Sequence, residues 1–263
     1  MKKFITVNYT VHNSKMKPSS HARFTMLTDL HGLVFGEDNS ELLKSIEESR
    51  PDAVLVTGDM IVRSDENTMG PAEKLLLQIV NHFPVYYSLG NHESKIAECE
   101  NSSRQYLEYE KRLQEAGVRF LHNESEILDI RGNRFTFHGL ELPMEYYKKP
   151  KSPRLEKEIV DNLIGRPEGN GIHVLLAHNP KYGHTYLRWG ADLILSGHYH
   201  GGVVRLGKHT GLTSPQFLLF PPFCVGDFYK DNKCMVVSAG LGEHTIPVRI
   251  HNPRELLVID MEP

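Results

Sequence analysis

The chain has 263 residues, of which 40% are hydrophobic and 24% charged, and these proportions exclude a disordered or fibrous protein. The net charge of −3 gives no overall attraction to nucleic acid, so we expect no nucleic-acid partner. The 3 cysteines are widely spaced and form no CxxC pair, which excludes a disulfide scaffold and favours a reducing compartment.

The N-terminal segment lacks the features of a secretory signal. Asn8, Thr10 and His12 interrupt the apolar residues that follow the two initial lysines. Elsewhere no stretch reaches the roughly 18 apolar residues that a spanning helix needs. We therefore expect a soluble, cytoplasmic protein, with peripheral contact to a membrane left open.

Apolar runs rich in branched side chains alternate with helical patterns through the first hundred residues. The runs predict strands, and apolar residues spaced three or four apart predict helices. The strands are expected at 22–28, 53–57 and 84–89, and the helices at 40–49 and 71–80. Asp38 and Glu41 resemble a capping box before the first helix.

Each of these predicted strands ends at a polar residue, at Asp29, Asp59 and Asn91 in turn. Successive ends are about 30 residues apart, which is the length of one βαβ unit. Parallel strands joined in this way have their carboxyl ends at one edge of the sheet, where ligands bind. The three polar ends are therefore expected to converge.

The second half of the chain continues the alternation. A helix is predicted at 102–116, a hairpin at 126–138 around Gly132-Asn133, and a polar helix or linker at 151–164. Buried strands are predicted at 171–177 and 192–195, and closing strands at 234–239 and 255–260. Since no repeat or linker is evident, we interpret residues 1–263 as a single domain.

Five strand ends carry oxygen or imidazole ligands just after an apolar run. These blocks are Asp29-Leu30-His31, Gly58-Asp59, Gly90-Asn91-His92-Glu93, His178-Asn179-Pro180 and Gly197-His198-Tyr199-His200. Such side chains suit divalent metals and lack the thiolates of a structural zinc site. A carboxylate shared by two ions would hold them about 3.5–4 Å apart, the spacing of two-metal phosphoryl hydrolases.

In this order the five blocks resemble the calcineurin-like metallophosphoesterase superfamily, whose pattern is D-x-H, G-D, G-N-H-[DE], H and G-H-x-H. No ligand position is substituted in this chain. The segments 195–202, 238–242 and 247–250 resemble its bacterial YkuE/YaeI-like phosphodiesterase branch, although Val203 stands where that branch commonly has glutamine. The resemblance implies a four-layer α/β/β/α sandwich with mixed β-sheets.

The resemblance also implies the roles of the residues in the blocks. One metal is expected on Asp29, His31, Asp59 and His200. The other is expected on Asp59, Asn91, His178 and His198, so that Asp59 bridges the two ions. His92 is expected over the phosphate, where it protonates the leaving oxygen or stabilises phosphoryl charge. Asp59 and His92 are thus the candidate catalytic residues, and Asn91 and His92 the candidate substrate-binding residues.

The implied reaction is hydrolysis of a phosphodiester or pyrophosphate bond by a hydroxide that bridges two divalent metals. Manganese is the first choice of metal, and iron and zinc suit the same ligands. The alternatives are a phosphomonoesterase, a non-catalytic metal-binding scaffold on the same fold, a two-metal hydrolase of C–N bonds, and a nuclease. The substrate is expected to be a small phosphate ester or a lipid-like one, and the sequence does not indicate the oligomeric state.

Two aromatic segments bear on the substrate. Residues 217–229 could form an apolar wall for a lipid-like group or a membrane edge, or could be a core-packing loop. Residues 144–151 combine tyrosines with lysines, so they could meet a nucleotide or lipid head group, or could form a solvated loop.

Several other polar residues have both a functional and a structural interpretation. Glu93 could orient His92 or cap the segment that follows it. His184 could support His178, His244 could face the cleft, and Arg205 could contact phosphate, with packing or surface roles as the alternatives. The remaining histidines and the three cysteines, including Cys99, are interpreted as packing or surface residues.

Overall fold

The computed structural model describes residues 2–97, 103–243 and 248–263. Cys99 and His244, discussed above, lie outside the described residues. The described residues form twelve strands. In chain order these are β1 (Phe4–His12), β2 (Ala22–Leu27), β3 (Ala53–Val56), β4 (Val85–Tyr87), β5 (Arg119–Phe120), β6 (Ser125–Ile130), β7 (Asn133–Leu140), β8 (Ile172–Ala177), β9 (Leu193–Ser196), β10 (Gly226–Lys230), β11 (Lys233–Val237) and β12 (Arg254–Glu262).

Six α-helices occur in the same part of the chain. They are α1 (Ser40–Ser49), α2 (Met69–Val80), α3 (Asn91–Ala97), α4 (Ser103–Glu115), α5 (Lys157–Ile164) and α6 (Gly183–Trp189). The predicted helices at 40–49, 71–80 and 102–116 are confirmed within two residues at each end. The polar segment 151–164 is helical only in its second half. The capping box is wrong, because Asn39 precedes α1 and Asp38 pairs with Lys74 instead.

The strands form two mixed six-stranded sheets. The first has the order β1-β12-β2-β3-β4-β5 and the second the order β10-β11-β9-β8-β7-β6. The predicted strands and the hairpin of β6 and β7 are confirmed. Five strands and α-helices have no counterpart in the prediction, namely β1, β5, β10, α3 and α6. β1 runs parallel to β12 at the edge of the first sheet, so the first and last strands of the chain pair with each other.

Successive side chains of a strand point to opposite faces of its sheet, and this explains how helices pack on one face of each sheet and the other sheet on the opposite face. On β3, Val54 and Val56 face α1, α2 and α4, whereas Leu55 faces the second sheet. On β9, Ile194 packs with α5 and α6, whereas its neighbours Leu193 and Leu195 face the first sheet. The central layer contains Phe24 against Phe135 and Phe137. The sequence expectation of a four-layer α/β/β/α sandwich is thereby confirmed.

The topology places the candidate site at one edge. β2, β3 and β4 are mutually parallel, as are β8 and β9, so the blocks that follow them start at the carboxyl ends of their strands. Within the described ranges no helix has the length and apolarity to cross a membrane. The assignment of residues 1–263 to a single domain stays a prediction.

Candidate metal centre

The backbone at the strand ends adopts a conformation that most residues avoid. Asp29, His31, Asp59, His198 and His200 all have φ between 47° and 65°. Left-handed backbone is uncommon for residues other than glycine, and clusters of it are typical of functional sites. Each turn directs its side chain back across the end of the sheet toward the others.

The first cluster joins the first and last of the five blocks. Asp29 Oδ1 lies 3.2 Å from His200 Nε2, and His31 Nε2 lies 3.3 Å from His200 Nε2. The ligand atoms of the three residues all lie within 4.8 Å of one another. The sequence placed these residues in one metal site, and the structure brings them together.

The second cluster forms around Asp59. Its Oδ2 atom lies 3.1 Å from His178 Nε2, and His198 completes a group whose ligand atoms lie within 4.8 Å of one another. Asp59 also forms such a group with His31 and His92. Asp59 therefore lies between the two clusters, which is the position that a bridging carboxylate requires.

Unsatisfied buried atoms show that the second cluster fits a divalent cation. Asn91 Oδ1 and His198 Nε2 are buried and have no hydrogen-bond partner in the described part of the chain. Leaving such atoms unpaired is costly, and a cation would satisfy both. His178 Nδ1 lies 2.6 Å from the Thr57 carbonyl and donates to it, so the Nε2 lone pair faces Asp59 as in a metal-bound histidine.

The charges in the site match those that metal binding needs. Burial raises the pKa of Asp29 and of Asp59, but the adjacent His200 and His178 outweigh it and hold both pKa values below the usual range. Burial lowers the pKa of His31 to about 3 and holds that of His198 well below normal. The carboxylates are thus ionised and these two imidazoles neutral, as ligands must be.

His178 is the exception. Burial lowers its pKa, but the charge of Asp59 and the hydrogen bond to it dominate and raise the pKa to about 9. Because the proton occupies the lone pair that faces Asp59, a proton and a cation compete for His178.

Glu93 holds the backbone that carries Asp59. Its buried carboxylate accepts hydrogen bonds from the N–H groups of Asp59 at 2.9 Å and Met60 at 2.7 Å. It also accepts from Gly90 N–H at 3.2 Å and from Tyr87 Oη at 2.8 Å. Glu93 thus ties the second block to the third, a role beyond the two expected from the sequence, which were to orient His92 or to cap the segment that follows it.

His92 is oriented by the backbone. Its Nδ1 atom accepts the N–H of Arg63 at 3.0 Å, so the ring hydrogen is on Nε2, which lies 4.0 Å from Asp59 Oδ2. Burial lowers the pKa of His92, which favours the neutral ring. His92 N–H in turn donates to Asp59 Oδ1 at 2.8 Å. His92 therefore presents a hydrogen-bond donor beside the clusters.

A cleft of 560 Å³ opens over the two clusters. Its lining includes the cationic side chains of Arg63, Lys95 and Lys149, together with His92 and Asn91. Glu243 is the acidic side chain of this lining outside the clusters, so positive charge predominates there and favours an anion.

Tyr147 also lines this cleft, and its ring lies 5.3 Å from that of His198 in an edge-to-face arrangement. Tyr147 belongs to the segment 144–151, which was a candidate from the sequence, but Tyr147 was not predicted individually. Tyr146 and Tyr147 are buried, so the solvated-loop interpretation is wrong for them and holds for Lys148 and Lys149.

Two residues that the sequence offered as candidates for the site, His184 and Arg205, lie outside it. His184 is exposed and packs on Phe223 with ring centroids 4.8 Å apart, so it does not support His178. Arg205 forms an ion pair with Glu255 and does not line the cleft. Cys224 and Cys234 are buried free thiols.

Arg249 is a neighbour of the first cluster that the sequence analysis missed. Its Nη2 atom donates to the carbonyls of Ala239 at 2.8 Å and Gly242 at 2.7 Å, and lies 3.3 Å from His200 Nδ1. The segment 247–250 was noted in the sequence only for its resemblance to a branch. Arg249 thus ties the last turn of the site to His200.

Comparison with known proteins gives a consistent result. The calcineurin-like phosphoesterase family model matches residues 22–202. An uncharacterised metallophosphoesterase of Aquifex aeolicus is 25% identical over 97% of this chain and 90% of its own length. Phosphodiesterase YaeI of Escherichia coli is 24% identical over 60% of this chain and 52% of its own, which agrees with the branch resemblance.

A solved structure shows the same fold. A putative 5'-nucleotidase of Staphylococcus aureus aligns with a TM-score of 0.54 at 11% identity, over 91% of this chain and 54% of that chain. At this identity the likeness concerns the fold alone.

Proposed function

Since the chain belongs to the calcineurin-like phosphoesterase family, we propose that this metal-dependent phosphoesterase hydrolyses a phosphodiester or pyrophosphate bond. The observation that carries the proposal is the pair of ligand clusters that meet at Asp59. The similarity to a relative named a phosphodiesterase favours the diester over a monoester.

The proposed ligand sets follow the two clusters. Asp29, His31, Asp59 and His200 would hold one cation, and Asp59, Asn91, His178 and His198 the other. Manganese is the first choice, and iron and zinc suit the same nitrogen and oxygen donors. Two divalent cations would supply a water of near-neutral pKa and neutralise the charge on the phosphate oxygens.

The chain's own residues would position the substrate and serve the leaving group. Arg63 and Lys149 line the cleft and would attract the phosphate anion. Asn91 and His92 would bind the phosphate group. With Nδ1 occupied by the Arg63 N–H, His92 can direct only its Nε2–H toward an oxygen. We propose that this hydrogen stabilises the developing charge on the leaving oxygen, a contribution of about 10²–10⁴-fold.

The test uses two chromogenic esters. Metal-stripped protein with added Mn²⁺ is assayed with bis-p-nitrophenyl phosphate and with p-nitrophenyl phosphate. The Asp59→Asn variant should be inactive, because Asp59 borders both clusters. Asp129→Asn, an exposed site on β6, is the matched control and should keep full activity.

Three results distinguish the candidate functions. Metal-dependent hydrolysis of the diester that Asp59→Asn abolishes supports the proposal. Hydrolysis of the monoester alone would identify a phosphomonoesterase. Two bound metals without turnover of either ester would indicate a non-catalytic scaffold or an enzyme with a more demanding natural substrate.

A further inference from the structure

We propose that this protein docks on a membrane surface rich in anionic lipids through an apolar tip and a basic segment beside the cleft. The apolar tip consists of Phe217, Leu219 and Phe220, and the basic segment of residues 148–154. Docking depends on these surfaces alone and does not require that the proposed hydrolysis be correct.

The apolar tip is exposed to an unusual degree. Relative exposure is 72% for Phe217, 70% for Leu219 and 58% for Phe220. Large apolar side chains gathered on a surface mark an interaction site, whereas single ones carry no such meaning. The other half of the segment 217–229 is different, since Phe223 and Cys224 are buried. The core-packing interpretation therefore holds for Phe223 and Cys224, whereas the cleft lining includes none of the three tip residues, and the membrane-edge interpretation stays a prediction.

The tip is held in a defined turn. Phe217 N–H donates to the Ser214 carbonyl at 3.0 Å, and Ser214 N–H donates to the Leu218 carbonyl at 3.0 Å. Ser214 Oγ accepts the N–H of Leu218 at 3.2 Å. Phe217 and Phe220 have φ of 61° and 48°, a conformation that bulky residues rarely adopt. Phe217 and Phe220 therefore combine a strained backbone conformation with rings that are exposed to solvent.

The basic segment touches the tip. Lys149 Nζ lies 5.7 Å from the centre of the Phe217 ring, within cation–π distance. Lys148, Lys149, Lys151 and Arg154 are all exposed, and no acidic residue occurs between positions 146 and 155. Arg154 is paired with Glu156 at 3.1 Å. The segment is therefore a concentrated positive surface in a chain whose net charge is −3.

A basic groove of 480 Å³ extends this positive surface. Lys181, His184 and Arg188 line it beside Arg154, and the described residues of its lining include no acidic side chain. The groove adjoins the basic segment, because Ser152, Pro153 and Arg154 belong to both. Groove, segment and tip, together the docking face, are therefore joined through the basic segment, which shares Arg154 with the groove and brings Lys149 to Phe217.

The combination of positive charge and exposed apolar side chains indicates which partner binds this face. Binding to a lipid surface strengthens with buried apolar area and with attraction to anionic headgroups, and this face offers both. In a two-fold dimer through the same face, both positive surfaces would be enclosed in one interface, and neither the basic segment nor the described groove lining supplies an acidic partner for them. An anionic membrane therefore fits this face better than a second copy does.

The face is continuous with the cleft. Lys149 belongs to the basic segment and also lines the cleft, as does Pro215, two residues before Phe217. Insertion of the tip into the headgroup region would therefore place the mouth of the cleft at the membrane surface.

Vesicle co-sedimentation of the metal-loaded protein tests the docking. The vesicles are phosphatidylcholine with and without phosphatidylglycerol, at low and high salt. We expect binding to the anionic vesicles that weakens with salt. Phe217→Ser/Leu219→Ser/Phe220→Ser should weaken it at least about tenfold. The matched control Leu107→Ser/Ile127→Ser removes apolar side chains of 58% and 55% exposure on α4 and β6, and should bind like the wild type.

A charge variant and a solution assay complete the test. Lys148→Gln/Lys151→Gln should weaken binding to anionic vesicles and reduce its salt dependence. All variants should melt like the wild type and hydrolyse the soluble diester at its rate. Diester hydrolysis without vesicle binding overturns the docking and leaves the proposed function intact, whereas vesicle binding without hydrolysis does the reverse.

Two further results would overturn the proposal. One is vesicle binding that the triple serine variant retains, because another surface must then be responsible. The other is a wild-type dimer in sedimentation equilibrium that the triple variant converts to a monomer, because the face would then be covered by a second copy.

Discussion

Gly90 lies so close to Asp59 that a single added methyl group should disable the metal centre. A Cβ atom at position 90 would lie 2.2 Å from Asp59 Oδ1 and 2.5 Å from Asp59 N. The backbone of Gly90 is outside the left-handed region, so the close approach alone excludes a side chain. Gly90→Ala therefore tests whether the position of Asp59 controls the site.

The size of the displacement follows from these distances. Ordinary contact begins at 3.4 Å, so Asp59 Oδ1 must move by about 1.2 Å. The movement would disturb the hydrogen bond from His92 N–H and the contact with His178. Misplacement by about 1 Å costs about 10²-fold in rate, and overpacking costs about 1–3 kcal/mol of stability. Since Asp59 borders both clusters, we expect affinity to fall at both metal sites.

The assay measures bound Mn²⁺ per protein after dialysis, kcat/KM on the diester, and urea unfolding. Gly70→Ala is the matched control, because a Cβ there meets nothing within 4 Å. It lies in α2, where alanine is favoured over glycine by about 0.5–1 kcal/mol, so the control should be slightly more stable. If Gly90→Ala binds two metals and hydrolyses the diester at the wild-type rate, the reasoning is refuted.

Three further predictions concern separate parts of the molecule. His92→Ala should lower kcat by about 10²–10⁴-fold with an unchanged metal content, and loss of metal would contradict its role at the leaving group. His122→Gln tests an ion pair: hydrogen bonds to Glu110 and Glu141 raise the pKa of His122 to about 10. The stabilisation is therefore complete below about pH 6.5 and is lost as the pH rises through about 10. Urea unfolding should show a destabilised variant at pH 6 and little difference at pH 10.5, whereas an equal loss at both values would exclude the ion pair as its cause. Phe24→Ala should cost about 3–5 kcal/mol in the same assay, because the fully buried ring packs between the sheets, and a cost below about 1 kcal/mol would disprove this.

Elements with a local sequence pattern could be predicted, whereas features that depend on distant partners could not. The buried strands β2, β3, β4, β8 and β9 and the helices α1, α2 and α4 were predicted correctly, because their burial repeats with a local period. The capping box at Asp38 was wrong because a tertiary partner, Lys74, takes that carboxylate. β1 was missed since its strand pairing is with β12, at the opposite end of the chain, and no local pattern encodes such a partner.

The sequence by itself determined the polar residues at the strand ends, since the βαβ spacing brings Asp29, Asp59 and Asn91 to one edge of a parallel sheet. Only the tertiary structure decided how these side chains are held. Glu93 ties the loop of Asp59 to the turn at Gly90, and Arg249 reaches His200 from a distant segment. Such contacts join residues far apart in the chain, and their geometry arises only when the two sheets pack and bury the polar groups that must then find partners.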